Sequence, residues 1–204
     1  MEKVKNYILK VEDREYKFTD ENLDRLFCEH KNYQKQEFVD TKWQLLDVAK
    51  DIKGKSVLDI GCNSGRIGIK CHEAGVGEYT GIDSNWRYLE DCHDQKVKGN
   101  FIQMELNELV DIYHEQFDVI LCLATFHYIK DKESFIKRMA EMTKEMFVLE
   151  GPVENGDPEF APKQELVEEL LNKYFNSVEF CGPSISPSIK PIHSKRFIWK
   201  CRNI

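Results

Sequence analysis

Apolar residues recur along this chain in two rhythms. Short runs of strand formers at 57–60, 78–82, 101–104, 117–122 and 146–150 alternate with stretches whose apolar residues fall three or four apart. The helical stretches carry Leu45, Val48, Ala49 and Ile52; residues 66–74; Trp86, Leu89 and Cys92; Leu106, Leu109, Val110 and Tyr113; Phe135, Ile136, Met139 and Met142; and Leu166, Val167, Leu170, Leu171 and Tyr174. Residues 117–122 are nearly all apolar, as a central parallel strand buried on both faces requires. Strand and helix in alternation predict right-handed crossovers, hence an α/β chain with a doubly wound, mainly parallel sheet and helices on both faces.

The ends of the chain follow other patterns. Residues 7–11 and 16–18, split by a charged turn, predict a small N-terminal hairpin. Thr19, Asp20, Glu21 and Asn22 open a helix in capping style, with Leu23, Leu26 and Phe27 on one face. Residues 177–181 and 195–201 read as two last strands, separated by a loop carrying Pro183, Pro187 and Pro191. We divide the chain into an N-terminal addition, 1–42, and a main domain, 43–204.

The chemistry concentrates where the first of the parallel strands ends. Asp59, Gly61, Cys62, Asn63, Ser64 and Gly65 form a glycine-spaced turn between strand and helix. Gly61 and Gly65 can adopt left-handed backbone and let a ligand approach the main chain, and Asn63 tolerates the same region. The next strand ends in Asp83, placed to accept hydrogen bonds from the two hydroxyls of a ribose, with Ser84 behind it. A pyrophosphate ligand would call for the three-glycine fingerprint, and Asp59 would repel it; an acid there suits a cation. The pattern therefore points to a ligand with a ribose and a positive charge.

In these residues the chain resembles the class I methyltransferases that use S-adenosylmethionine. Residues 59–65 are similar to their first motif and 81–83 to their second; 101–109 is similar to the third, and 117–131 to the fourth strand and the loop behind it. The resemblance covers about 43–150 and implies a seven-stranded Rossmann-like sheet closed by an antiparallel final hairpin. It implies that the 59–65 loop holds the methionine part of S-adenosylmethionine, Asp83 the ribose, and Met104, Glu105 and the Leu106 backbone the adenine. Cys122 lies at the fourth strand tip on the same crevice. Asn63 stands where many members have glycine, and Glu105 where most have aspartate. Tyr33, Trp43, His127 and Glu150 are the candidate acceptor-pocket residues. His127, with an ordinary pKa near 6.5, is the leading candidate for a proton acceptor, with Tyr128 beside it and His193 a weaker one. Trp43 ahead of the first motif and Phe126, His127 and Tyr128 after the fourth strand give a looser likeness to transferases acting on the wobble uridine of tRNA.

Composition narrows the partners. The 204 residues are 41% hydrophobic and 32% charged with a formal net charge of −7, against the basic excess of dedicated nucleic-acid binders. We expect a small-molecule acceptor in preference to RNA, with no DNA and no membrane partner; the basic clusters at 31–35 and 190–200 keep RNA open. Seven scattered cysteines without a Cys-x-x-Cys pair predict neither a disulfide framework nor a metal site. No apolar run reaches the roughly 20 residues that span a bilayer, and the expected location is the cytoplasm. A noncatalytic cofactor-binding protein is the main rival reading. A nicotinamide-dependent oxidoreductase is disfavoured by the missing third glycine and by Asp59.

Overall fold

The computed structural model describes residues 6–11, 14–19, 36–153, 161–185 and 196–203. β1 (Asn6–Val11) and β2 (Arg14–Thr19) pair antiparallel as the predicted hairpin. The helix expected after Thr19, and with it Tyr33, lies outside the described residues, as do His193 and most of the proline-bearing loop.

The main sheet is built from β3 (Ser56–Ile60), β4 (Glu78–Asp83), β5 (Asn100–Gln103), β6 (Phe117–Leu123), β7 (Thr143–Pro152), β8 (Ser177–Ser184) and β9 (Arg196–Arg202). Their order across the sheet is β5-β4-β3-β6-β7-β9-β8. Neighbours from β5 to β7 run parallel, and β9 alone is reversed, pairing antiparallel with both β7 and β8. The expected doubly wound sheet with a closing antiparallel hairpin is thus observed. Strand order reverses between β3 and β6, which opens a crevice at their carboxyl ends.

Helices α1 (Gln36–Leu46), α2 (Arg66–Glu73), α3 (Trp86–Asp94), α4 (Leu106–Ile112), α5 (Lys132–Met142) and α6 (Gln164–Tyr174) complete the layers. Leu106, Phe135, Met139, Val167 and Leu171 from α4, α5 and α6 pack on one sheet face with Ile120, Phe147 and Trp199. Phe38, Leu45 and Leu46 from α1 and Cys71 from α2 cover the other face with Val57, Leu121, Val148 and Ile198. Alternate residues of β6 and β7 therefore serve opposite cores, which is why those strands read as unbroken apolar runs.

One predicted helix is displaced. The spacing of Leu45, Val48, Ala49 and Ile52 placed a helix across them, but α1 ends at Leu46 and Asp47 takes a φ of 44°. Val48 and Ile52 are fully buried all the same, through a tight turn in which Ile52 N–H donates to the Val48 carbonyl at 3.2 Å. Burial at four-residue spacing does not require a continuous helix. α1 also runs through the boundary drawn between 42 and 43, so that division falls within one helix.

Candidate cofactor and acceptor site

The β3 to α2 turn is built from left-handed backbone. Gly61 and Gly65 each have φ of 75° and Asn63 has 49°. The amides of Gly61 and Cys62 both donate to the Ile82 carbonyl, at 2.7 and 3.0 Å, which docks the loop on β4. Asn63 explains its own departure from glycine: its side-chain oxygen accepts the Ser64 N–H at 2.7 Å, while its backbone N–H donates to Asp83 Oδ2 at 2.9 Å. Asparagine supplies both the left-handed turn and a local acceptor that glycine lacks. The other Asp83 oxygen accepts Asn85 N–H at 2.9 Å, and Asn85 caps α3 by accepting Arg87 N–H. Asp83 thereby clamps the glycine loop to the start of α3.

Thr125, behind β6, supports the loop from the other side. Its hydroxyl donates to the Ile60 carbonyl at 3.2 Å, and a Cβ placed on Gly61 would meet Thr125 Cγ2 at 2.0 Å. Gly61→Ala is expected to lower stability by about 2 kcal/mol, from left-handed strain and overpacking, and to weaken cofactor binding. Thermal melts of Gly61→Ala and of Gly61→Ala with Thr125→Ser should show partial recovery in the double variant; no recovery would mean that backbone strain carries the whole effect.

These elements enclose a crevice of about 390 Å³. Asp59, Gly61, Cys62, Asn63, Ser64, Asp83, Ser84, Leu106 and Tyr128 line it. Gly65 stands behind the loop against Cys92, and Cys122 is fully buried with its thiol 3.2 Å from the Thr125 hydroxyl. Met104 and exposed Glu105 lie at the entrance to α4, off the crevice lining, although Met104 N–H donates to the Asp83 carbonyl at 3.1 Å.

The acceptor candidates separate. Tyr128 lies in a short 3-10 turn at the crevice mouth, 63% exposed, while His127 is buried behind it with its ring centroid 3.9 Å from that of Tyr128. Trp43 packs against the α1 core cluster, outside the crevice lining. Glu150 is fully buried and accepts the Lys42 ammonium at 2.7 Å.

Lys42 lines the crevice with Phe38 and Val39 from α1, and Tyr88 from α3 joins them. Sequence reasoning passed over these residues. The available signal was a lysine four residues after Phe38 on a helix whose Phe38 and Leu46 are buried, with its ammonium 5.3 Å from the Phe38 ring centroid. Burial pulls the Lys42 ammonium down from its ordinary pKa, and the charge of Glu150 opposes that pull.

Asp59 faces the same crevice from β3. Its carboxylate accepts the Tyr79 hydroxyl at 2.7 Å, yet burial pushes its pKa up to about 6. The group is neutral below that value and anionic above it, so affinity for a cationic ligand should rise with pH across about 5 to 7. Titration calorimetry with S-adenosylmethionine at several pH values should show this rise in the unmodified chain and a flat profile in Asp59→Asn. A rise of equal size in both would assign it to another group.

The family described as a methyltransferase domain matches residues 57–146. A tRNA U34 carboxymethyltransferase of Campylobacter lari is 30% identical over 167 residues, covering 69% of this chain and 57% of that protein. A protein of the same description from Helicobacter acinonychis is 26% identical over 147 residues, covering 66% and 55%. The chain thus spans little more than half the length of these relatives. Among solved structures, magnesium protoporphyrin IX methyltransferase from Synechocystis with bound S-adenosylmethionine superposes with a TM-score of 0.65 at 16% identity, over 83% of this chain and 79% of that one. The plantazolicin methyltransferase superposes with a TM-score of 0.62 at 14% identity, over 90% and 91%. At such identities the structural likeness concerns the fold.

Proposed function

We propose that this chain, which belongs to the class I S-adenosylmethionine-dependent methyltransferases, binds that cofactor in the crevice and moves its methyl group to a small-molecule acceptor. The observation that carries the reading is the junction of the glycine loop and Asp83. The Asn63 N–H to Asp83 contact holds a left-handed, Cβ-free cradle beside an acid at the tip of the adjacent strand.

The residues present fit the cofactor. Asp83 has lone pairs left for ribose hydroxyls after accepting two backbone N–H groups. Leu106 offers an apolar surface to the adenine, and Asp59 a negative charge to the methionine end. When bound, S-adenosylmethionine supplies a methyl carbon on a cationic sulfur, open to in-line displacement. The protein's part is to align the acceptor and exclude water. Phe38, Val39, Leu123 and Tyr128 form the wall that does so. We place His127 as the support that orients Tyr128, since it packs on that ring from outside the crevice lining.

The crevice volume of about 390 Å³ and the net charge of −7 favour a small acceptor over a polynucleotide. The second reading is favoured by the names of the curated relatives: a tRNA acceptor, modified at the wobble uridine.

The test is to incubate the chain with methyl-labelled S-adenosylmethionine in a lysate separated into small-molecule, RNA and protein fractions, with Asp83→Ala as control. Label in the small-molecule fraction, present only with the unmodified chain, is expected. Label in tRNA would move the assignment to the second reading, and cofactor binding without label in any fraction would favour a noncatalytic binding protein.

A further inference from the structure

Two thiols meet behind the glycine loop, and the methyl transfer proposed above uses neither. Cys62, in the loop, and Cys92, on α3, each donate to the Asn63 carbonyl, at 3.6 and 3.3 Å, so that their sulfurs flank one oxygen. The Cys92 thiol also hydrogen-bonds Cys62. The backbone leaves room for both: a Cβ on Gly81 would meet Cys62 Sγ at 2.8 Å, and one on Gly65 would meet Cys92 Sγ at 2.9 Å. The same helix end grips the loop once more, where Gln95 Nε2 donates to the Ser64 carbonyl at 3.1 Å.

The pair is unequal. Cys62 is 5% exposed and lines the crevice, whereas Cys92 is fully buried and lies outside the lining. A small oxidant entering the crevice meets one thiol first and has the second directly behind it, the arrangement of an attacked and a resolving cysteine. In the closed loop the pair is held unreactive. The hydrogen bond from Cys92, and burial after it, keep the Cys62 thiol protonated far above the ordinary cysteine range, and the nearby charges of Asp59 and Asp83 act in the same direction. The thiolate is the reactive form, so reaction waits on an opening of the loop that brings water to Cys62. A ligand that keeps the loop closed suppresses it.

We infer that Cys62 and Cys92 are a redox pair, which a peroxide converts to a disulfide that ties the glycine loop to α3 and weakens cofactor binding. The Cys62 sulfur attacks the peroxide O–O bond, giving a sulfenic acid and one water. The Cys92 sulfur then attacks the Cys62 sulfur, forming the S–S bond and expelling the sulfenic oxygen as a second water. The two thiols lose two electrons and two protons, which the peroxide takes up, and a dithiol reductant reverses the change. Bond formation draws both sulfurs off the Asn63 carbonyl, and the left-handed segment that carries Asn63 N–H to Asp83 moves with them. That the weakened ligand is S-adenosylmethionine rests on the methyltransferase reading; the disulfide does not.

The test treats the full, reduced chain with hydrogen peroxide, with and without saturating S-adenosylhomocysteine, then digests it without reductant for mass spectrometry. A peptide pair joined through Cys62 and Cys92, lighter by two hydrogens and released by dithiothreitol, is expected, and it should form several-fold more slowly with S-adenosylhomocysteine present. Calorimetry of the oxidised chain should give an S-adenosylhomocysteine affinity weaker by about tenfold, restored by dithiothreitol. Cys92→Ser should bind S-adenosylhomocysteine nearly as the unmodified chain does and lose the response to peroxide. If Cys92→Ser does not fold, the peptide map and the affinity of the unmodified chain decide.

The inference is overturned if peroxide leaves Cys62 untouched, joins it to another cysteine, or carries it to the sulfinic acid while Cys92 stays reduced. It is overturned too if the linked chain binds S-adenosylhomocysteine as tightly as the reduced one. Failure of the reduced chain to bind S-adenosylhomocysteine at all would instead strike the methyltransferase reading, and the peptide map would still judge the pair.

Discussion

Asp83→Ala is expected to weaken S-adenosylmethionine binding by at least about 100-fold in titration calorimetry. Hydrogen bonds to a charged group contribute about 1.5 to 3 kcal/mol each, and every 1.4 kcal/mol is about tenfold. Two ribose hydroxyls reach that range unaided. The structure adds a second loss, because the same carboxylate accepts Asn63 N–H and Asn85 N–H at 2.9 Å each. Without it, the glycine loop and the start of α3 lose their common anchor. Asp83→Asn should fall between, since it keeps one acceptor oxygen and turns an amide group toward a backbone N–H. Affinity within threefold of the unmodified chain in Asp83→Ala would remove Asp83 from the ribose site.

The second large effect concerns stability. Glu150→Leu is expected to cost about 3 to 5 kcal/mol, the usual penalty for stripping the partner from a buried charge. That corresponds to a fall in Tm of about 10 °C for a chain of this size. Lys42→Met should cost clearly less. The asymmetry follows from the surroundings: without Glu150, Lys42 is a buried cation repelled by Arg196, whereas Lys42→Met removes the cation that Arg196 repels. Denaturant unfolding of both variants checks the order. Equal costs, or a larger one for Lys42→Met, would show that repulsion by Arg196 does not set the order.

The parallel strands and the glycine loop were legible in the sequence because their causes are local. The apolar run 117–122 needs no distant partner to read as a buried strand, and the glycine spacing of 61 and 65 reports backbone angles that few other residues adopt. Glu150 was named from the sequence, but its partner Lys42 was not legible, for a reason of distance. Lys42 and Glu150 meet across 108 positions, and no periodicity marks a lysine whose partner is chosen by the fold. The turn after α1 fails differently. Val48 and Ile52 are spaced as helix residues and buried as helix residues, but Asp47 breaks the backbone before them. Hydrophobic spacing reports which side chains go inside more faithfully than it reports the path between them.

The place of β9 has a kinetic consequence. β9 is not an edge: it lies between β7 and β8, and among the described residues β8 has no other neighbour in the sheet. β8 therefore has no sheet pairing to form until residues 196–202 have inserted beside β7. Arg196 reaches Pro152 and Ser184 in that same event. Such pairing between distant segments bears the cost of loop closure before its contacts repay it. The half of the sheet from β5 to β7, which carries the glycine loop, can form from a continuous stretch of chain. The half that carries Arg196 has to wait for residues 196–202.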